Sequence, residues 1–319
     1  MSILRSLIPS ARGYSDEQVG EANPIAFATL SVLGGGAYYW LILQSGSPAT
    51  SYTLNLAEMR RLADATPGPK AREIRAEHVV QFSFPATAIV AGDGWVNSAM
   101  TVFSYQLEFG DKTVIIDTAM SAGQASTLGG AKFDTKAYAR LSNALKSASL
   151  IVVTHEHGDR IGGLLAQPDL KVELTVAKLN VEQVTNLERY NPGYPKAAFA
   201  GYKPLDYRNY QAVAPGVVLI RAADHTPGSQ MVYVRTENSG EYLFTGDVAW
   251  HMRNIDTMRD RARLVTWLFL REDRDAVLAQ LAALNALKKA EPKIHIVPGH
   301  DPEVVTALER DGLILKTFR

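Results

Sequence analysis

The residues able to do chemistry in this sequence stand at the ends of its apolar runs. Leu150–Val153 leads into Thr154-His155-Glu156-His157-Gly158-Asp159-Arg160, where a strand gives way to a loop and a short helix. In an extended chain residues i, i+2 and i+4 share one side, so His155, His157 and Asp159 converge. Two imidazoles and a carboxylate on one side ask for a cation. Such ligands suit zinc and other divalent transition metals, and an open coordination position lowers the pKa of a bound water to about 7. Three more ligand-capable residues follow apolar runs: His225 after Val217–Ala223, Asp247 after Tyr242–Gly246, and His300 after Ile294–Gly299. Each alone reads as an ordinary turn or cap residue. Four such groups at the carboxyl ends of strands, where α/β folds collect their sites, point together to one metal centre. Of the other histidines, His295 packs inside the last strand, His78 opens the first, and His251 lies near enough to Asp247 in sequence to be a substrate contact.

The elements that must position these groups follow from the same pattern. Short β-rich runs fall at Val79–Phe84, Met100–Phe109, Thr113–Asp117, Leu150–Thr154, Val217–Arg221, Met231–Arg235, Tyr242–Thr245 and Ile294–Val297. Helical patterns interleave: Tyr138, Leu141 and Leu145 share a face behind the N-cap residue Asp134, and Val277, Leu278, Leu281, Leu284 and Leu287 do so between Arg274 and Lys289. This order implies sheets covered by helices. With 319 residues, 46% of them hydrophobic, the chain has ample material for a core. Lysine plus arginine and aspartate plus glutamate number 33 each, so the net charge is zero and a general nucleic-acid coating role is excluded. There is no cysteine, which excludes disulfides, cysteine nucleophiles, iron–sulfur clusters and thiolate zinc sites.

The amino-terminal part differs. No charged side chain occurs from Ala22 to Ala57, and the run over 25–43 reads as a single membrane-anchor helix, with a buried core helix as the alternative. Residues 1–77 are therefore expected to form this anchor and a linker, and residues 78–319 the functional domain. Arg5 and Arg12 on one side and Arg60 and Arg61 on the other give no clear orientation, and a periplasmic location of the domain is the working expectation. The Tyr-, Asn- and Pro-rich stretch Val181–Tyr210 is expected to form a lid over the cleft.

The series His155-x-His157-x-Asp159, then His225, Asp247 and His300, resembles the metallo-β-lactamase-fold hydrolases from about His78 to the carboxyl terminus. The resemblance implies a four-layer αββα sandwich of mixed α/β (α+β) class with one or two zinc ions in its cleft. It further implies that His155, His157 and His225 hold the first ion, that Asp159 and His300 hold the second, that Asp247 bridges them, and that Asp117 of Ile115-Ile116-Asp117-Thr118 supports the site. Segments around His225, Asp247 and His300 look most like the N-acyl-homoserine-lactone lactonases. The implied activity is hydrolysis of an ester-like bond in a small molecule, with Asp159 carrying a proton to the leaving group.

Two positions depart from the family pattern. Arg160 stands where a second-site histidine is usual, and an arginine repels a cation and cannot ligate it. Either Arg160 supplants the second ion, pairs with Asp159 and offers its guanidinium to an anionic group of the substrate, or it swings to solvent and leaves a weakened second site; inactivity is a third outcome. Side-chain direction set by the neighbouring ligands favours the first. Trp250 stands where those lactonases carry a tyrosine, and an indole can donate a hydrogen bond but cannot act as an acid. The rival readings are a β-lactamase, a phosphodiesterase using a Tyr207, Arg208 and Tyr210 patch, and a non-catalytic metal-binding module. Oligomeric state is not readable from the sequence.

Overall fold

The computed structural model describes residues 24–129 and 131–319. The chain divides into two compact units, Met1–Trp40 and Leu41–Arg319. The described part of the first is a helix, α1 (Pro24–Tyr38), whose Ile25, Phe27, Leu30, Val32 and Leu33 are exposed. At about 1.5 Å per residue its 15 residues reach roughly 22 Å, short of the ~30 Å hydrocarbon core. The chain then widens into a π turn, Tyr39–Leu43. No helix among the described residues is long and apolar enough to cross a membrane, so the spanning helix expected over 25–43 is not formed. The far end of that run belongs to the larger unit: Thr87 Oγ1 donates to the Ile42 carbonyl at 3.3 Å and Arg259 Nη2 to that of Leu43 at 2.5 Å. Arg5 and Arg12 lie outside the described residues.

The larger unit is two sheets face to face with helices outside. The first contains β1 (Glu73–Pro85), β2 (Asn97–Glu108), β3 (Thr113–Ile116), β4 (Lys132–Phe133), β5 (Leu150–Val152) and β11 (Leu315–Lys316), in the order β11-β1-β2-β3-β5 with β4 paired to β1. The second contains β6 (Tyr210–Ala214), β7 (Val217–Arg221), β8 (Gln230–Arg235), β9 (Glu241–Phe244) and β10 (Ile294–Val297), in the order β10-β9-β8-β7-β6. Strand alternation divides the side chains between layers. Val114, Ile116, Val217 and Leu219 meet in the core between the sheets. Their neighbours face outward: Ile115 packs under the first helix layer, and Val218 and Ile220 under the second. Each such buried side chain contributes about 1.5–3 kcal/mol.

The outer layers are amphipathic helices. The helix Thr135–Ser147 covers the first sheet with Ala137, Leu141, Ala144 and Leu145, and Asp134 caps it by accepting from Lys136 N and Ala137 N at 2.8 and 2.9 Å. Leu56–Ala65 and Arg274–Ala290 cover the second sheet with Met59, Ala63, Val277, Leu281, Leu284 and Leu287. The expected αββα layering is present. The short helices Val181–Thr185 and Leu187–Tyr190 and the turn Lys196–Phe199 lie in the stretch expected to form a lid.

Candidate metal centre

The carboxyl ends of β5, β7, β9 and β10 deliver His155 and His157, His225, Asp247 and His300 to one end of the sandwich. Backbone strain marks two of the approaches. Asp117, just past β3, sits at φ 60°, and Asp224, just before His225, at φ 131°, both in the left-handed region. The Asp117 carboxylate accepts from Thr154 N at 2.6 Å and from Thr154 Oγ1 at 3.0 Å, which pins the loop carrying the first two histidines. Thr154 Oγ1, its proton given to Asp117, accepts from His155 Nδ1 at 3.2 Å. His225 Nδ1 donates to Glu272 Oε2 at 2.7 Å. Both Nε2 atoms are thereby left with lone pairs directed inward.

His157 Nδ1 stands 3.1 Å from each of those Nε2 atoms. Tetrahedral zinc with Zn–N bonds of about 2.0–2.1 Å has nitrogen–nitrogen edges of about 3.3 Å. The three nitrogens therefore fit the corners of a zinc site. Burial also lowers the pKa of all three imidazoles, and keeps them neutral as ligands must be.

Asp159, Asp247 and His300 also converge, with ligand atoms within 4.8 Å of one another. Among them lies the Arg160 guanidinium. Its Nη2 donates to Asp247 Oδ1 at 2.5 Å and to Gly299 O at 3.0 Å and stands 2.9 Å from His300 Nε2, and Nε lies 3.4 Å from Asp159 Oδ2. His300 Nδ1 donates to Thr101 O at 3.0 Å, and its Nε2 also lies 3.3 Å from both Asp247 Oδ2 and Asp159 Oδ2. Arg160 is 1% exposed. The reading in which it swings to solvent is corrected by this burial, and the expected pairing with Asp159 is present. Burial raises the pKa of Asp159 and Asp247, but the Arg160 charge outweighs it and holds both carboxyls well below their usual range.

Glycine makes this packing feasible. A Cβ on Gly163 would lie 1.8 Å from Thr118 O, so only glycine lets the helix Gly158–Leu165 approach the chain after β3. A Cβ on Gly299 would lie 2.6 Å from Asp247 Oδ1 and 2.8 Å from Arg160 Nη2.

Residues 98–300 match the family model of the metallo-beta-lactamase superfamily, more than half of the chain. The chain belongs to that superfamily. It is 24% identical over 252 residues to the N-acyl homoserine lactonase AiiA of Bacillus thuringiensis subsp. kurstaki, covering 70% of this chain and 93% of the relative. A solved N-acyl homoserine lactone hydrolase with N-hexanoyl-L-homoserine bound at its catalytic metal centre superposes with a TM-score of 0.56 at 18% identity, over 75% of this chain and 96% of that one. A probable metal-dependent hydrolase from Staphylococcus aureus superposes with a TM-score of 0.54 at 12% identity, over 73% and 91%. These superpositions show the shared fold. As a superfamily member the protein is a metallohydrolase whose histidines and aspartates are able to bind a divalent metal.

Several residues that organise this metallohydrolase centre carry no sequence signal. Glu156 reads as a spacer between two histidines, yet it is buried and accepts from Thr226 Oγ1 at 2.7 Å and Gly228 N at 3.1 Å, tying the His225 turn to the His155 loop. Arg261 and Glu272 are buried behind His225 and Asp247. Trp250 Nε1 donates to Asp247 Oδ2 at 2.8 Å. His251 caps the helix Met252–Thr257 and is not among the residues lining the cleft, and His295 packs on Tyr242.

A cavity of about 650 Å³ opens over His157, Asp159, Asp247 and His300. Phe82, Phe84, Met100, Met120, Leu128, Trp250, Val265, Phe269 and Leu270 wall it. Part of the wall thus comes from the segment around 265–270, while no residue of Val181–Tyr210 lines the cavity, although the Tyr190 ring meets that of His157 at 4.7 Å. Tyr207, Arg208 and Tyr210, weighed above for a phosphodiesterase, do not line this cavity; the Tyr207 hydroxyl donates to Gln230 Oε1 and that of Tyr210 accepts from Asn55 N.

Proposed function

We propose that this protein is a mononuclear zinc hydrolase of ester-like bonds, with lactones bearing an apolar chain as the leading substrate class. His155 Nε2, His157 Nδ1 and His225 Nε2 would hold the zinc, which when bound supplies an acidified water as nucleophile and polarises the carbonyl. The observation that carries the mononuclear reading is the Arg160 guanidinium lying among Asp247, His300 and Gly299. A permanent cation there satisfies the acceptors that a second ion would otherwise ligate, and repels that ion.

The remaining roles follow from position. Asp247 gives Oδ1 to Arg160 and turns Oδ2 toward His225 and His155, at 3.6 and 3.8 Å from their Nε2 atoms. Asp159 lines the cavity beside Arg160, whose charge keeps its carboxylate ionised and weakly basic, so it would orient the attacking water by accepting a hydrogen bond from it. The Trp250 indole is already committed to Asp247, and an indole cannot act as an acid. Most of the remaining cavity lining is apolar, so a neutral lactone with an alkyl chain meets Phe, Met and Leu side chains there. The lactonase relatives support the same substrate class.

The test is metal content and turnover measured together. Purified protein is expected to carry about one zinc per chain and Arg160→His to rise toward two; equal content refutes the mononuclear reading. In a panel of lactones, thioesters, cephalosporins and phosphodiesters, long-chain lactones are expected to turn over fastest and to stop with chelator. Preference for a cephalosporin or phosphodiester refutes the substrate class.

A further inference from the structure

Between Arg261 and Glu272 the chain makes an excursion, 262–271, whose Val265, Phe269 and Leu270 form one wall of the cavity. The two stem side chains are buried, 1% and 0% exposed, and Arg261 Nη1 donates to Glu272 Oε2 at 2.9 Å and Oε1 at 3.1 Å. Each also grips the metal centre. Glu272 accepts from His225 Nδ1 at 2.7 Å; Arg261 Nη2 donates to the Asp247 carbonyl, and its guanidinium stacks 4.3 Å above the Trp250 ring. A loop stem needs no ion pair for closure, and burying one is costly. Here the partners of the pair are a zinc-ligand imidazole, the backbone of Asp247 and the ring that hydrogen-bonds its carboxylate.

We propose that Arg261 and Glu272 are positioning residues that orient His225 for the metal and clasp the 262–271 wall through the same ion pair, making metal affinity and the integrity of the substrate wall one property. The inference rests on the zinc reading of His155, His157 and His225 given above.

Glu272→Gln keeps the size and one acceptor for His225 but gives up the charge that holds Arg261. Zinc affinity, read by competition with a chromophoric chelator, is expected to fall about 10–100-fold. The ligand-field spectrum of the cobalt-substituted protein is expected to shift, and metal-free variant is expected to be cut faster by trypsin after Arg263 or Arg271, with sites mapped by mass. Arg261→Gln, which leaves Glu272 on His225, is expected to move both readouts in the same direction. Affinity within about two-fold of wild type, or a change in one readout without the other, overturns the proposal. Should neither variant fold, wild-type protein nicked within 262–271 serves instead: zinc binding about ten-fold weaker than in intact chain is expected, and unaltered binding overturns the coupling. Wild type that binds no zinc sinks the metal-centre reading itself, whereas wild type that binds beside an unaltered Glu272→Gln sinks this inference alone.

Discussion

Replacing Arg160 by methionine isolates what the buried guanidinium contributes without a metal. The side chain is 1% exposed and lies against Asp247, Asp159 and Asp117, with Nη1 3.7 Å from Asp117 Oδ2. Methionine keeps the length and removes the charge, leaving buried carboxylates uncompensated. Deleting one partner of a buried pair costs about 3–5 kcal/mol. For a domain of this size 1 kcal/mol moves the melting temperature by about 2–4 °C, so unfolding in EDTA followed by circular dichroism is expected to fall by roughly 6–20 °C. Zinc should then help the variant more than wild type. Once Arg160 is gone, Asp159, Asp247 and His300 are free to bind a second ion, and a ligand at 100 times its dissociation constant stabilises by about 2.7 kcal/mol. A melting temperature in EDTA equal to that of wild type, or identical zinc increments in the two proteins, would refute the claim that Arg160 holds the place of an ion.

Other outcomes follow from single contacts. Burial pushes the Asp117 carboxyl up to about 6 against the pull of Arg160, so the folded state holds that proton more tightly than the unfolded chain. Its stabilising contribution is complete below about pH 4 and lost as the pH rises through about 6, an integrated change of about 3 kcal/mol. Asp117→Asn is expected to remove that slope from urea unfolding of the zinc-free protein between about pH 4 and 6, and an unchanged slope would contradict the assignment. Phe269 is 77% exposed yet lines the cavity, so Phe269→Ala is expected to raise KM for long-chain lactones about ten-fold with kcat and short-chain kinetics unaffected; a loss in kcat instead would count against a binding role. Gly299→Ala places a methyl group against Asp247 and Arg160 and is expected to cost about 1–3 kcal/mol by thermal unfolding, with an unchanged melting temperature as the contrary result.

The candidate ligand set was legible because its members follow apolar runs, and a strand's end is a local event. The helix Arg274–Ala290 and the Asp134 cap were legible for the same reason: leucine spacing and a capping carboxylate act over a few residues. The supports were not. Glu272 and Arg261 flank an apolar stretch with no period, and nothing local tells that one meets His225 and the other Asp247. Asn180 and Gln183 lie in a polar stretch that suggests a surface lid, but they are buried and donate to the Gly228 and Val153 carbonyls. The amino-terminal run misled through composition. Hydropathy counts apolar residues without seeing that Ile42 and Leu43 give their carbonyls to Thr87 and Arg259. Arg160 was visible as a departure, while its inward direction depends on Gly299 O and His300, brought near only by the fold.

A charge carried on a covalent tether differs from one borrowed from solution. Dialysis, acid and chelators strip ions from proteins, but they leave the guanidinium between Asp247 and His300, whose proton that acidic surrounding holds even more firmly than usual. That positive charge is thus written into the gene and assembled at folding, indifferent to whatever trace metals the surroundings supply.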